Sequence, residues 1–404
     1  MPENISSLLR EFIDDYAPLE LAFALFQAGV EAQLPTVLWR MPNAQEVQVL
    51  VAHAAQPHLP AIEGNCPGFA FHPFQVSEAA PVNFLPANLY YSGKGGEMPT
   101  EAGQELPARF WAILRKRGRK RLADWPLRPG GTVKYSHRAE FEQAVSTAVQ
   151  AMRAGELEKV VLSRTKTLPL PLDFDVLATY AQLTRLYTTA FVSLVAIPGI
   201  GTWMGATPEL LAQVDKKRVF RTVALAGTQP LTPGLTPADA IWRQKEIEEQ
   251  ALVQRYIISC FKHIRLREYT EVGPRTILAG NLLHLRTDYS APMDELGFPH
   301  LGTQMLDLLH PTSAVGGMPK AKALEMINQL EPHERRYYSG FLGPVQIDGE
   351  TNLGVNLRCV ELGKDTVTAY AGAGMTADSD PAKEWVETEL KMQTMLRLFQ
   401  ASES

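Results

Sequence analysis

Residues 371–391, AGAGMTADSDPAKEWVETELK, carry the most constraining local signal in this chain. Gly372 and Gly374 open the stretch, and an Asp-Ser-Asp-Pro start at 378–381 leads into a helix. Ser379 or Asp380 suits the N-cap, and Pro381 suits the first turn, where a missing N–H costs nothing. On that helix Glu384, Glu387 and Lys391 recur at i, i+3 and i+7 and share one face. Trp385, Met392, Leu396 and Phe399 form a separate stripe that faces a core. A carboxylate pair and an ammonium beside a glycine-flanked turn suit a divalent cation with an anionic ligand. Taken alone, the same face reads more readily as solvated and salt-bridged, because such pairs are common on helices.

A second helix of the same kind shifts that balance. ADAIWRQKEIEEQALVQRYIISCFKHI places Glu246 and Glu249 three apart on one face. Two acidic helices that converge supply oxygen ligands for a hard cation such as Mg²⁺, which keeps waters and takes one or two carboxylates together with substrate oxygens.

The totals exclude several functions. A formal charge of −5 over 404 residues argues against a nucleic-acid surface. Cys66, Cys260 and Cys359 are widely spaced and odd in number, so neither a disulfide framework nor a CxxC metal site is expected. The acid-bearing start MPENISSLLREFIDDYAPLE does not read as a secretory signal, and no apolar run reaches the ~18 residues a membrane span needs. The expected setting is cytoplasmic.

In order, residues 1–130 read as short helices and strands with little chemistry, and 135–400 as a strand-rich region with a few long helices. VEAQLPTVLWRMP reads as a strand, EVQVLVAH as a strand or a helix start, and GFAFHPF and NFLPANLYYSG as extended pieces, while the basic run RKRGRKR at 115–121 reads as a solvated face or loop. HRAEFEQAVSTAVQAMRAG is an amphipathic helix closed by Gly155. The strand KVVLSRTKTLPL begins at Lys159, and GATPELL turns tightly at 207–209. Pro319 fits the first turn of a further helix. FLGPVQIDGETNLGVNLRCVEL reads as a hairpin turning at Asp348-Gly349, with Arg358 inside its second strand as a structural ion pair or a carboxylate clamp. There is no G-x-G-x-x-G after a strand and no P-loop.

KVVLSR, GATPELL, ALAGT, KEIEEQ, HPTSAVGG, YSGFLG, VNLR, AGAG and SDPAKEWVETELK occur in this order, and that series resembles the chorismate-utilising enzymes. These include isochorismate synthase, salicylate synthase and anthranilate synthase component I. The resemblance covers about residues 135–400. It implies an α+β fold of two large, mostly antiparallel sheets packed together with helices outside, in which the first 130 residues are a variable part of the same fold. It implies chorismate as a small-molecule substrate and Mg²⁺ as cofactor. By motif, Glu249 and Glu387 are the implied direct metal ligands, and Glu246 and Glu384 the outer pair. Gly372, Gly374, Tyr338, Arg358 and Lys391 are the implied substrate-carboxylate partners, with Gly227, Thr228, His284 and Ala314 around the ring.

Lys159 narrows the resemblance to isochorismate synthases and salicylate synthases, whose lysine at this strand start activates water where ammonia-using members carry glutamine. Glu209 matches the general acid that protonates the departing hydroxyl. ALAGT in place of PIAGT, and Ala314 where salicylate synthases tend to have threonine, favour isochorismate synthase, feeding menaquinone or siderophore biosynthesis. The alternatives are a salicylate synthase, which adds pyruvate elimination, and a catalytically silent chorismate-binding relative. No nucleic-acid, membrane or glutaminase partner is expected, and the chain is read as a monomer. Gln250 departs from the histidine usual after the second glutamate, which puts the support of the metal helix in question.

Overall fold

The computed structural model describes residues 16–93, 106–116, 122, 124–129, 136–231, 236–279 and 282–400. Two antiparallel sheets, of nine and eight strands, are built by a chain that changes sheet repeatedly. After helix α1 (Pro18–Glu31), β1 (Thr36–Arg40) and β2 (Gln48–Val51) enter the nine-stranded sheet. β3 (Gly68–His72) and β4 (Asn83–Pro86) form one edge of the eight-stranded sheet, and β5 (Leu89–Ser92) returns to the first. Residues 36–92 therefore contribute strands to both sheets. Helices α2 (Ala108–Arg115) and α3 (Arg138–Arg153) follow, then β6 (Lys159–Pro169), α4 (Val176–Leu186), β7 (Phe191–Ile197) and β8 (Gly201–Thr207) in the nine-stranded sheet.

The chain crosses at Pro208 into β9 (Leu210–Val214) and β10 (Val219–Pro230) of the other sheet. Helix α5 (Gln244–His263) packs on β10, and β11 (Thr270–Ala279) with β12 (Leu282–Pro292) completes that edge. After α6 (Leu301–Leu309), the two-residue β13 (Gly317–Met318) joins β6, and α7 (Lys320–Leu330) leads on to β14 (Phe341–Val345) and β15 (Thr351–Val355). A last crossing gives β16 (Cys359–Leu362), β17 (Thr366–Met375) and helix α8 (Pro381–Leu396).

Period-two burial explains the layering. In β1, Val37 and Trp39 point into a core shared by the sheets, where they meet Phe69, Phe71 and Leu85. Leu38 points the other way, toward α1 and the apolar stripe of α8. The eight-stranded sheet turns its other face to α5 and α6, where Leu211 and Phe220 meet Val253 and Phe261, while α3 packs on β6, β17 and α8 of the nine-stranded side. Four layers result, helix–sheet–sheet–helix, as the resemblance implied. No helix among the described residues is long and apolar enough to cross a membrane.

Local signals held in several places. Asp380 caps α8 by accepting from the Lys383 N–H, with Pro381 in its first turn. Asp348 and Gly349 both take positive φ, +53° and +75°, the turn that a two-stranded hairpin favours. Other points need correction. Arg358 is not inside the hairpin's second strand; it sits between β15 and β16 at φ +49°, where the chain passes from one sheet to the other. Pro319 is the N-cap of α7 rather than a residue of its first turn. Strand β11 and helix α6 were not anticipated, because TEVGPRTILA carries a proline and charges that blur its alternation, and LGTQMLDLL is short. The basic run at 115–121 lies mostly outside the described residues.

Trp203 joins the sheets: its ring stacks on Tyr370 at 5.3 Å and meets Tyr337 at 5.8 Å and Phe71 at 6.4 Å. Trp203→Ala is expected to destabilise the fold by about 3–5 kcal/mol, measured by denaturant unfolding.

Candidate active site

Two of the crossings between sheets, from β8 to β9 and from β15 to β16, open onto one cleft. At the first, the Thr207 hydroxyl accepts from the Glu209 N–H, and the Glu209 carbonyl accepts from Val355 N–H. At the second, the Arg358 carbonyl accepts from Ala206 N–H. The two crossings therefore brace each other and deliver Glu209 and Arg358 to a cavity with about 850 Å³ of empty space, its mouth included. Lys159, Gly227, Glu249, His284, Ala314, Tyr338, Gly372, Gly374, Glu387 and Lys391 line the same cavity. Of the residues singled out from sequence, Glu246 and Glu384 lie outside its wall, and the side chain of Thr228 lies outside the described residues.

Lys159 is buried at the first position of β6, paired with Met318 of β13. Gly317, at φ +141°, allows this: a Cβ there would stand 2.2 Å from the Lys159 carbonyl oxygen. Gly374 leaves the space for the lysine stem, its absent Cβ falling 3.2 Å from Lys159 Cε. Burial pushes the Lys159 ammonium below its ordinary range, against the opposing pull of Glu249. Burial also raises the Glu209 carboxyl to about 7, although Lys159 and Lys391 oppose it. Both groups are thus driven toward their neutral forms.

Anion-binding capacity comes from the backbone. β17 outruns its neighbour β16, which pairs only with Val367–Ala369. The Gly372 carbonyl accepts from Lys391 Nζ at 2.8 Å and so points away from β6. The β6 amides opposite agree, since Val161 N–H donates to Gly316 and Ser163 N–H to Glu331. In an antiparallel strand one residue's N–H and C=O point the same way. The N–H groups of Gly372 and Gly374 therefore face the cleft side, beyond the end of β16. Tyr338, buried against Tyr370, brings its hydroxyl to 3.0 Å from where a Gly372 Cβ would be. Arg358 is held to α8 by a hydrogen bond to Thr394 Oγ1 at 2.9 Å.

His284 Nδ1 lies 2.9 Å from the Gly227 carbonyl, which only accepts, so Nδ1 carries the proton and Nε2 is the acceptor. Burial first, then Arg358, lower its pKa to about 4 and keep the ring neutral. Gly227, at φ +65°, belongs to an irregularity in β10 between Ala226 and Gln229. Gln250 fastens that irregularity: its Oε1 accepts from Ala226 N–H at 3.0 Å, and its Nε2 donates to Ala224 O and Thr287 Oγ1. The residue that departed from the usual histidine thus ties α5, and Glu249 with it, to the strand carrying Gly227.

The acidic helices converge. Lys245 Nζ on α5 lies 3.1 Å from Glu384 Oε1 on α8 and 3.9 Å from Glu249 Oε1. Glu387 pairs with Lys391 at 2.7 Å; burial pushes its pKa up, but Lys391, with Lys245 and Arg358, together hold it low. Glu384 is buried, and its Oε2 has no hydrogen-bond partner. Burial and then Glu387 raise its pKa. Glu246 instead accepts from the Arg243 N–H at the start of its own helix. Among the described residues, no three carboxylate, imidazole or thiolate groups form a closed metal cage. The donor set nonetheless suits a hard cation that keeps waters and takes substrate oxygens: two helices share a cation here, and a buried carboxylate oxygen stands unpaired. Sequence reasoning missed Lys245, although its i, i+4 spacing to Glu249 was visible, and Tyr370, Leu225 and Leu357, which line the cavity without any motif chemistry.

Residues 97–400 match the family described as chorismate binding enzyme. The chain belongs to the chorismate-binding enzymes. Isochorismate synthase EntC of Escherichia coli K12 is 29% identical over 264 residues, 64% of this chain and 66% of that protein, so the match spans just under two thirds of its length. The salicylate biosynthesis isochorismate synthase of Pseudomonas aeruginosa is 30% identical over 364 residues, 83% of this chain and 74% of the relative. The solved structure of MenF, the menaquinone-specific isochorismate synthase of Escherichia coli, superposes with a TM-score of 0.72 at 23% identity, covering 93% of this chain and 91% of that one. Anthranilate synthase component I of Streptococcus pneumoniae shares the fold at a TM-score of 0.65 and 18% identity, over 89% of this chain and 90% of that one.

The raised pKa of Glu209 has a stability sign. Its folded-state pKa of about 7 exceeds the ordinary 4.5, so the folded state binds this proton more tightly than the unfolded chain, and that contribution is lost as pH rises through 7. At pH 8 Glu209→Gln is expected to stabilise the protein by about 3 kcal/mol. The gain should vanish near pH 4, as checked by urea unfolding at both values.

Proposed function

We propose that this chorismate-binding enzyme is an isochorismate synthase, delivering isochorismate to menaquinone or siderophore biosynthesis. The observation that carries the reading is the pair of buried groups in one cavity, Lys159 and Glu209, both displaced by burial toward neutrality. A neutral amine and a neutral carboxylic acid are the forms needed to exchange one ring hydroxyl for another near pH 7.

Lys159 takes a proton from water as its oxygen bonds to C2 of the ring. The ring double bonds shift, the C4–O bond breaks, and Glu209 gives its proton to the departing oxygen, which leaves as water. The product is an isomer of chorismate, and the proton returns from Lys159 to Glu209 before the next turnover. The Gly372 and Gly374 amides, Arg358 and Tyr338 hold a substrate carboxylate, and Lys391 is fixed beside them by Glu387 and the Gly372 carbonyl. Neutral His284 presents Nε2 as an acceptor toward the ring. Mg²⁺ would be held by Glu249 and Glu387 with Glu384 behind them, Glu246 being turned to the start of its own helix, and would anchor the oxygens of an anionic ring carboxylate.

Incubation with chorismate and Mg²⁺ should yield isochorismate alone on chromatography. Salicylate with pyruvate would establish the salicylate synthase reading instead, and binding without turnover a silent relative. Lys159→Ala and Glu209→Gln should each lower kcat by about 10²–10⁴-fold while leaving the circular dichroism spectrum unchanged. In the unaltered enzyme kcat/KM should form a bell. It is bounded by loss of the Glu209 proton, near pH 7, and by protonation of Lys159, since either change removes the active pair.

A further inference from the structure

Lys245 has no place in the chemistry just described, yet its ammonium sits between the acidic helices. Its Nζ donates to Glu384 Oε1 at 3.1 Å and stands 3.9 Å from Glu249 Oε1. It is the described link between those carboxylates, one on α5 and one on α8. The pairing is incomplete on one side. Glu384 is 1% exposed, and its buried Oε2 accepts no hydrogen bond of ordinary geometry, although the Ser379 hydroxyl stands close by.

We propose that Lys245 is a tethered counter-ion that occupies the cation position between α5 and α8 in the free protein and must be displaced when a divalent cation binds. This rests on the magnesium reading above. A divalent ion held by Glu249 and Glu387 with Glu384 behind them cannot leave an ammonium on the Glu249 and Glu384 oxygens, because the two cations would stand within a few ångströms of each other. Lys245 can leave, since its side chain is 39% exposed and ends a flexible four-carbon stem, whereas Glu384 at 2% has nowhere to go. The tether keeps two acidic helices together before metal arrives. It also sets a threshold: the ion loads readily only when a substrate carboxylate adds further oxygens, so metal and substrate favour each other's binding. The unpaired Glu384 Oε2 fits this, being an acceptor that one ammonium does not satisfy and a hydrated dication would.

The test is Mg²⁺ titration by calorimetry into the free, full-length protein without substrate, for the unaltered chain and for Lys245→Met, Lys245→Arg and Lys383→Met. Lys245→Met should bind Mg²⁺ at least tenfold more tightly, Lys245→Arg should stay within a few-fold of the unaltered chain, and Lys383→Met, which removes an exposed positive charge from the same region, should change affinity less than twofold. In metal-free buffer Lys245→Met should also melt at lower temperature, and saturating Mg²⁺ should restore it. Unchanged affinity in Lys245→Met, or an equal gain in Lys383→Met, overturns the proposal while leaving the magnesium reading intact. If no variant binds Mg²⁺, the magnesium reading falls and this inference with it. A Lys245→Met chain that melts low and binds tightly remains a positive result, because calorimetry reads the folded fraction at a temperature below its transition.

Discussion

The cleft exists because two crossings between sheets lie side by side and share backbone hydrogen bonds. Val355 N–H to Glu209 O and Ala206 N–H to Arg358 O lock the β8–β9 and β15–β16 passages together. A strand that leaves one sheet for another takes its side chains out of both inter-strand ladders, so the residues at the passage project between the layers. Glu209 and Arg358 reach the cavity in this way. The sheets supply the remaining walls, Lys159 and the glycines from one and Gly227 and His284 from the other, with α5 and α8 closing the side that bears the carboxylates.

Burial then does the electrostatic work. The same desolvation acts on a lysine and a glutamate in opposite directions, lowering one pKa and raising the other, and so pushes both toward their neutral forms. Such paired displacements are common at active sites. His284 completes the pattern: its hydrogen bond to the Gly227 carbonyl selects one tautomer, and the irregularity that offers this carbonyl is fastened by Gln250. A glutamine meets that need as a histidine would, since the position requires a donor and an acceptor rather than a charge.

Much of this was legible in the sequence because motifs record chemistry. The helix start at 378–381, the E-x-x-E pairs and the Asp348-Gly349 turn follow from local rules, and the resemblance carried Lys159 and Glu209 to their cavity. What escaped depends on distant contacts. Arg358 reads as a strand residue because its neighbours alternate, and only the passage between sheets makes it otherwise. Glu246 has the spacing of a ligand, yet its carboxylate caps its own helix. Lys245 reads as one more charge on a charge-rich helix until α8 brings Glu384 to meet it. Strand β11 shows a weak pattern because it is the edge strand of its sheet and largely exposed.

The left-handed turn at Arg358 has a consequence beyond aiming its side chain. By bending the chain one residue before Cys359, it ends β16 short and strips β17 of a neighbour along Ala371–Met375. A carboxylate in that gap would do the work of an absent strand, accepting from amides whose orientation the rest of the ladder has already fixed. On the proposed reading, recognition of the anion is written into the length of a strand, and a change that straightened residue 358 would close the gap as well as move the guanidinium beside it.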